Sequence, residues 1–588
     1  MNIENLPAPT RRILCGSILL LSAGLLAQPA LAQDFLRNAP KSLPPVHSKA
    51  KLPDTAPAAE KDNAQLLPSL KALVFVESAK AVKESGTKAQ GLVTNGIDLL
   101  EAPDFQKLAE PYLSQPLTLG RLNQLVREIV IYYRENDHPV VNVIVPEQDI
   151  TNGAVQLVVL EGRIDEVKAS GNRWFSSRTI EGQVRLHEGD RISSKRLLED
   201  IDWLNQNPFR SVDVVFAPGS QPGETDLTLR VQDRFPLRVF TGYENTGNDL
   251  TGEDRWYAGF NWGNAFGLDH QLNYQFTASS DFEGLLAHSI SYLAPLPWRH
   301  KLQLFGVISE SHAESGPFSI DGSGRQASLR YLIPLPTLSK GTDFVFSQEL
   351  SLGFDWKRSN NFLEFDVVTA SDTTTDVGQF NLGYHASLRD PWGGWNFQGE
   401  LYYSPGGWFP NQDKASYEAV RAGADDEYVY SQIRLSRVTR LPANFTLSNE
   451  FTLQFSDGNL LPTEQLAIGG YDSVRGYDER VLSDADGGFL MRHELRTPPI
   501  KLLGRLSSDS RIQDQLQFLA FWDYAVSIAH SPLPGEDRRT VLSSVGAGLR
   551  YTLSEYVSVR ADYGFQLADL DTGGNDHGRW HVGVTISY

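Results

Sequence analysis

Few residue combinations in this chain could do chemistry. His493 and Glu494 stand side by side in "FLMRHELRTP", but the second histidine of a zinc-protease helix is missing and the surrounding alternation is that of a strand. "SDADGG", residues 483–488, opens like a calcium loop yet lacks the remaining spaced ligands and the closing glutamate, so a hairpin turn is expected there and no metal. The chain has no phosphate-binding loop, no G-x-S-x-G elbow and no dinucleotide fingerprint. Neither an enzyme nor a bound cofactor is expected. What remains is "YDSVRGYDER", residues 471–480, where a lone Arg475 sits in a turn-forming run with Gly476 behind it and rings at Tyr471 and Tyr477. A guanidinium carries its donors in a rigid fork that suits carboxylates. The question is what this fork holds.

The compartment follows from the N-terminus. Arg11 and Arg12 precede an apolar run from Ile13 to Leu26, and Ala30-Leu31-Ala32 supplies a small-residue cleavage site. That is the pattern of a signal peptide cleaved after Ala32. Cys15 lies before most of the apolar run, badly placed for a lipoprotein, and the arginine pair is a poor twin-arginine signal. Cys15 is the sole cysteine, so the mature chain is expected to hold neither disulfides nor thiolate metal sites. The 53 basic and 72 acidic residues give a net charge of -19, which argues against nucleic-acid binding. After residue 32 no apolar stretch is long enough for a spanning helix.

Residues 33–68 are rich in Pro, Ala and Lys and read as a flexible linker. Two units of mixed pattern follow. In the first, "LKALVFV" reads as a strand and "LGRLNQLVREIVIYYREN" as a helix with Leu122, Leu125, Val126, Ile129, Tyr132 and Tyr133 on one face. "VVNVIVP" and "AVQLVVLEG" complete it as a strand pair. The order recurs with "IDEVKASG", the helix "SSKRLLEDIDWLNQNP" capped by Ser193 or Ser194, and the strands "VDVVFAP" and "TDLTLRVQD". Matched order at this spacing indicates an internal repeat.

After Arg234 helical patterns stop, and alternating segments broken by Gly, Asn, Asp and Pro run to Tyr588. In "YVSVRADYGF", Val557, Val559, Ala561, Tyr563 and Phe565 oppose Ser558, Arg560, Asp562 and Gly564. "RWHVGVTISY" alternates Trp580, Val582, Val584, Ile586 and Tyr588 against Arg579, His581, Gly583, Thr585 and Ser587. A soluble sandwich also alternates, but this region is too long for one. Its polar face includes Arg492, Glu494, Arg560 and Asp562, which a dry core would not bury unpaired. Its apolar face is rich in Tyr, Trp and Phe, as in the aromatic girdles of outer-membrane barrels. Strand starts near 238, 255, 271, 286, 301, 325, 345, 378, 394, 427, 445, 487, 515, 543, 555 and 579 give about 16, an even number that closes a barrel.

In that setting the run Val474, Arg475, Gly476, Tyr477, with Gly469 and Gly470 before it, resembles the V-R-G-Y motif in the sixth extracellular loop of the outer-membrane assembly and secretion superfamily. It falls in a long connection between the eleventh and twelfth strands. Within that superfamily the chain is most similar to the two-partner secretion transporters (TpsB), the haemolysin activation/secretion proteins. The resemblance also rests on the two α/β units, which look like polypeptide-transport-associated (POTRA) domains, on "GYENTGNDLTGEDRWYAGFNWGNAFGLDHQLNY", and on "FLMRHELRTP". It covers nearly the whole mature chain. The implied organisation is a signal peptide at 1–32, a linker at 33–68, POTRA domains at 69–161 and 162–233, and a transmembrane β-barrel at 235–588 with a long loop at 456–486. Such transporters often carry an N-terminal plug helix. Here Pro40, Pro44, Pro45, Pro53, Pro57 and Pro68 leave room only for a short one near "QDFLRNA".

The resemblance further implies an outer-membrane translocase. Its client would be a large β-helical exoprotein of haemolysin, adhesin or contact-dependent toxin type, bearing an N-terminal secretion domain. Its other partners would be periplasmic chaperones, the barrel assembly machinery, which reads an aromatic C-terminus such as Tyr588, and outer-membrane lipid. The alternatives are an insertase of the same superfamily or a passive porin. In the family the sixth loop folds back into the lumen and its arginine pairs with an aspartate on an inward face. In "QLQFLAFWDYA", Leu516, Phe518, Ala520, Trp522 and Tyr524 share the apolar face and Asp523 the other, and Phe521-Trp522-Asp523 matches the family's F-x-D pattern. Asp523 is thus the expected partner of Arg475, with Glu494 as the other lumen carboxylate in line for it.

Overall fold

Alternation of apolar and polar side chains fixes where the long C-terminal region places its strands, because successive residues of a strand face opposite ways. The computed structural model describes residues 39–41, 43, 64–315, 318–340, 344–365, 368–482, 485–503, 513–570 and 577–588. The expected signal peptide at 1–32 with Cys15, nearly all of the short helix expected near "QDFLRNA", and Ser483 and Asp484 of "SDADGG" lie outside the described residues. The chain divides into two compact units, one of residues 43–236 with 266–269 and the other of the rest.

The barrel strands are β1 (Leu237–Glu244), β2 (Arg255–Ala265), β3 (His270–Ala278), β4 (Leu285–Pro295), β5 (Lys301–Ser315), β6 (Phe318–Lys340), β7 (Phe344–Phe365) and β8 (Val368–Asp390). They continue as β9 (Gly393–Pro405), β10 (Glu427–Arg440), β11 (Thr446–Ser456), β12 (Gly487–Arg496), β13 (Asp514–Ile528), β14 (Arg539–Leu553), β15 (Val557–Gln566) and β16 (Gly578–Ser587). Each pairs with its sequence neighbour, and β1 pairs antiparallel with β16, Phe240 facing Ser587 and Glu244 facing Gly583, so all 16 strands close into one barrel. Closure removes every free sheet edge, which a lipid environment requires. Trp256, Ile308, Leu352, Phe380, Trp522 and Trp580 are exposed on the outside, while Gln275, Gln379, Asp523, Asp562 and His581 are buried on the inside. No helix among the described residues is long and apolar enough to cross a membrane.

Fourteen of the strands begin within four residues of the starts expected from alternation; β6 and β8 begin earlier, at 318 and 368 rather than 325 and 378. These two strands run to 23 residues each. Their early portions are dominated by small and polar residues, "DGSG" in β6 and "SDTTTD" in β8, which leave only a brief alternation before the runs that carry it.

The N-terminal unit holds two α/β modules. In the first, Ala72–Val76 lies between parallel neighbours Gly91–Val93 and Ala154–Glu161, and Val141–Ile144 adds antiparallel to the latter. The helix Leu119–Glu135 covers this sheet with Leu122, Leu125, Ile129, Val130, Tyr132 and Tyr133, and Thr118 caps it. Gln65–Leu67 pairs with Leu117–Thr118, so ordered structure begins inside the stretch expected to be linker as far as residue 68. In the second module Glu224–Asp233 runs parallel to Arg163–Ser170 and antiparallel to Arg210–Pro218. Its helix Ser194–Leu204 is capped by Ser193, whose Oγ accepts the Arg196 amide at 3.1 Å. The short strand Gly91–Val93 and the helix Pro103–Ala109 distinguish the first module from the second, so the repeat shares order but not every element.

Candidate functional site

The connection between β11 and β12 enters at Asp457 and leaves at Asp486, and its two ends are tied together. Asp486 takes the Arg421 fork at 2.5 and 2.8 Å, the Leu460 amide at 2.8 Å and the His530 amide at 2.9 Å. One carboxylate thereby joins three outer connections, since Arg421 precedes β10 and His530 follows β13. Below this neck the loop turns back with Gly469 and Gly470 at φ +109° and +94°, in the left-handed region that glycine tolerates. A Cβ on Gly470 would sit 1.9 Å from the Glu479 carboxylate, which would have to swing away from the Tyr471 amide it accepts at 2.9 Å.

Arg475 lies at the tip and is fully buried. Its Nε and Nη2 donate to Asp523 Oδ2 and Oδ1 at 2.7 and 2.8 Å, a two-point grip on β13. Nη1 donates to Glu494 Oε1 of β12 at 2.6 Å and reaches Asp562 Oδ2 of β15 at 3.5 Å. The Arg475 amide adds a bond to Asp523 Oδ2 at 3.2 Å. Phe521, two residues before Asp523 and therefore on the same inward face, lies under the guanidinium with its ring centre 3.5 Å away. Both carboxylates considered from the sequence, Asp523 and Glu494, thus converge on Arg475, and Asp562 joins them.

The cluster balances its charge. Arg496 donates to Glu494 Oε2 at 2.9 and 2.6 Å, and Arg550 donates to Asp562 at 2.6 and 2.8 Å. Three guanidiniums, Arg475, Arg496 and Arg550, therefore hydrogen-bond three carboxylates, Asp523, Glu494 and Asp562, and a fourth, Arg492, stands 4.0 Å from Asp523. Burying so many charges is tolerable only because each is paired and hydrogen-bonded.

The rest of the V-R-G-Y run fixes the tip by close approach. Gly476 has φ +91°, its amide donates to His581 Nε2 of β16 at 3.0 Å and its carbonyl accepts Gln566 Nε2 at 2.7 Å. Gly564 of β15 faces it so closely that a Cβ on Gly564 would lie 2.6 Å from the Gly476 nitrogen. Tyr477 OH donates toward the carbonyls of Ala568 and Ser543, 2.6 and 2.9 Å away. Val474 and Tyr477 pack with Leu466, Ile468, Ala485, Leu490, Ala525 and Leu542. Nothing here resembles a nucleophile with its base, and among the described residues no group of His, Cys, Asp and Glu could hold a metal.

One feature had no signal in the sequence, and one completes what the sequence suggested. Within the stretch read as flexible linker, Lys41 lies against the inward side of β1–β3: its Nζ pairs with Glu244 at 3.1 Å and stands 3.8 Å from the centre of the Tyr257 ring, its amide donates to Gln275 Oε1 at 3.2 Å, and its carbonyl accepts Asn261 Nδ2 at 2.9 Å. Glu244 also takes Arg560 at 2.7 Å, and Arg560 stacks on Tyr471 of the loop at 3.5 Å. At the C-terminus, Tyr588 exchanges backbone bonds of 2.9 and 3.0 Å with Val239 of β1 while its ring is exposed.

The model of the haemolysin secretion/activation protein family ShlB/FhaC/HecB matches residues 223–550, more than half of the chain. The chain belongs to this family. A ShlB-type POTRA model matches residues 88–162, and a second POTRA model, the surface antigen variable number repeat, matches 162–234. Among curated relatives, the heme/hemopexin transporter protein HuxB of Haemophilus influenzae (strain 86-028NP) is 23% identical over 478 residues, covering 79% of this chain and 80% of the relative. The outer membrane transporter CdiB of Dickeya dadantii is 24% identical over 409 residues, 68% of this chain and 70% of the relative. The hemolysin transporter protein ShlB of Serratia marcescens is 24% identical over 422 residues, 68% and 70% of the two chains. The solved structure of CdiB from Escherichia coli shares the fold, with a TM-score of 0.69 at 18% identity over 99% of both chains. As a ShlB/FhaC/HecB protein, the chain is an outer-membrane translocase of two-partner secretion, with its POTRA domains in the periplasm, and exports an exoprotein partner.

Proposed function

We propose that the exported partner is a large β-helical polypeptide of haemolysin, adhesin or contact-dependent toxin type, recognised through an N-terminal secretion domain, and that Arg475 latches the loop across its route. The observation that carries this reading is the charge-lined lumen, crossed by a loop that side chains hold and no continuous sheet fixes. A loop bound this way can move without breaking the barrel.

The POTRA domains supply capture. Arg163–Ser170 and Arg210–Pro218 each have one strand neighbour in their sheet, leaving edges to which an extended client can add by β-augmentation. The client then passes through the lumen and folds outside, and that folding supplies the driving force. No enzymatic step and no cofactor enters the scheme. Periplasmic chaperones keep the transporter chain itself unfolded, and the barrel assembly machinery inserts it by way of the terminal strand and Tyr588.

The test is exoprotein in the culture supernatant, normalised to the amount of heat-modifiable barrel, for wild type and Arg475→Ala. A strong loss of export with normal barrel levels is the expected result. Undiminished export would remove the latch from the mechanism, and recovery of the whole chain in the soluble periplasm would remove the translocase itself.

A further inference from the structure

The loop grips the barrel a second time. Glu464 precedes the V-R-G-Y run, and its carboxylate is fully buried. Oε1 receives Lys357 Nζ of β7 at 2.6 Å, and Oε2 receives Gln379 Nε2 of β8 and Tyr430 OH of β10, both at 2.8 Å. Gln454 Nε2 of β11 donates to the Glu464 carbonyl at 3.1 Å. These strands, β7 to β11, form a different stretch of wall from β12 to β15, which holds Arg475. The loop is therefore strung between two walls, with its anion on one and its cation on the other.

Beside the Glu464 anchor lies a cavity of about 540 Å³. Arg330, Asp355, Arg434 and Glu450 line it from the strands, and Glu464 and Arg480 line it from the loop. The cavity reaches Asp472 and Ser473 of the loop and Arg492 of β12, but at the tip itself backbone meets backbone at Gly476 and Gly564.

We propose that Glu464 is the releasable anchor: when it parts from Lys357, the segment from Glu464 onward leaves β7–β11 and the cavity widens into the conduit, while the neck at Leu460 and Leu461 and the Arg475 end stay docked. The two anchors differ in what release would cost. Arg475 would leave Asp523 buried without its cation and lose the ring face of Phe521. Glu464 has one cation and two neutral donors, and it borders a polar cavity into which the carboxylate can rehydrate as it moves. Gln379 Oε1 would keep the Tyr428 hydroxyl, 2.9 Å away, while its Nε2 and the Tyr430 hydroxyl would pass from the carboxylate to water entering from the cavity, which Lys357 and Tyr430 line. This assignment rests on the translocase reading for the nature of the conduit, but not for the motion.

The experiment measures ion flow through the purified full-length barrel in planar lipid bilayers. Glu464→Gln keeps the shape and removes the charge, Lys357→Met removes the partner from the other side, and the charge swap Glu464→Lys with Lys357→Glu restores an ion pair. Each single variant should raise the open probability by roughly 5- to 150-fold, the range one coupling interaction spans in a two-state element. The double variant Glu464→Gln with Lys357→Met should add nothing further, and the swap should return the channel toward wild type. Hydrogen exchange at residues 474–477 should stay as slow as in wild type. Heat-modifiable migration establishes that each barrel is folded, and the two single variants lie on different elements, so one misfolding leaves the other to decide. Open probabilities equal to wild type in a folded single variant would overturn the proposal, as would a swap that opens the channel as far as the single variants do. Export by the wild type, scored in parallel, separates the two readings: its absence overturns the translocase, and its presence with unchanged open probability overturns the anchor alone.

Discussion

Arg475→Ala should undock the loop tip, and the structure says which carboxylate bears the cost. Glu494 keeps Arg496 at 2.6 and 2.9 Å, and Asp562 keeps Arg550 at 2.6 and 2.8 Å. Asp523 has no such second partner, since the nearest other guanidinium is Arg492 with its Nε at 4.0 Å. The variant thus strips one buried carboxylate of its cation, a change that costs about 3–5 kcal/mol in a protein interior. From the other side, Asp523→Asn removes the charge from two short bonds and leaves Arg475 held by Glu494 at 2.6 Å. Charge-assisted bonds contribute ~1.5–3 kcal/mol each, and the retained amide acceptor offsets part of that, so about 2–4 kcal/mol is expected. Because both variants break the same contact, the double variant should cost little more than Arg475→Ala alone, a coupling of about 2 kcal/mol or more.

The assay is hydrogen exchange of the loop peptide spanning residues 474–477 in folded barrels held in lipid nanodiscs, read as the free energy of local opening. Losses that add to within about 0.5 kcal/mol would refute the pairing and hand the latch to Glu494. The exchange Arg475→Asp with Asp523→Arg should not rescue. It would set a carboxylate beside Glu494 and a guanidinium beside Arg492, so both new neighbours would be of like charge.

Gly564→Ala should release the loop tip without touching a charge, because the added carbon would fall 2.6 Å from the Gly476 nitrogen and 2.7 Å from the Arg475 carbonyl carbon, neither of which can step aside; protease cleavage within the loop of intact cells is the measurement. Tyr588→Asp should lower the amount of folded barrel on heat-modifiable gels while Tyr588→Phe should not, since the exposed ring and not its hydroxyl is what the terminal strand displays. In the periplasmic unit Asp137, just past the first long helix, accepts Ser193 Oγ, Ser194 Oγ and the Lys195 amide at 2.5, 2.7 and 2.7 Å, capping the second module's helix from the first module. Burial alone would push the Asp137 carboxyl up, but the bonds from Ser193, the Lys195 amide and Ser194 outweigh it and hold it below its usual 3.8. Its contribution is therefore present above the unfolded carboxylate pKa and lost as pH falls through the lower folded value, so isolated Asp137→Asn and wild-type POTRA pairs should differ by about 0.5 kcal/mol in urea unfolding at pH 7, solvent screening having reduced the effect of a half-exposed carboxylate, and converge at strongly acid pH.

The barrel was legible because lipid on one side and polar lumen on the other force a period of two, which survives in "RWHVGVTISY" and "QLQFLAFWDYA" without reference to any partner. Asp523 could be placed inward for the same reason. Alternation names a face, however, and not a height along the strand, so it could not separate Asp523 from Glu494 or show that Asp562 stands beside both. Phe521 shows a further limit. It shares the inward face with Asp523 and would count there as an error of pattern, yet the flat ring is what the guanidinium rests on. Glu464, Lys357 and Lys41 were invisible for another reason, and Asp486 was noticed in "SDADGG" only as part of a turn. Each is one charged residue among many in a chain rich in them, and only the folded loop brings it to its partner. Glycine was legible only in part: the sequence suggested tight geometry at Gly476, but its complement, Gly564, lies on a strand where a glycine gives no hint of what approaches it.

Both walls hold the loop mainly through ions, and this follows from what a conduit must be when the loop has moved. An apolar anchor would leave a greasy patch on a lumen that has to pass an unfolded polypeptide without binding it. A carboxylate or guanidinium that leaves its partner is taken up by water, and the wall it leaves stays polar. Pairing makes the docked state specific, and hydration keeps the undocked state soluble, so the same residues serve both. Apolar contacts accompany both grips: Val474 and Tyr477 share a buried cluster with Leu466 and Ile468, and Leu460 and Leu461 at the neck pack on Val377, Tyr428 and Tyr430. Val474 and Tyr477 sit at the end that the Gly476–Gly564 contact and the three carboxylates hold most firmly, whereas the Glu464 end presents Lys357, Gln379 and Tyr430. What separates the two ends is therefore the backbone approach and the three carboxylates at the tip against a single ion pair beside a polar cavity at Glu464.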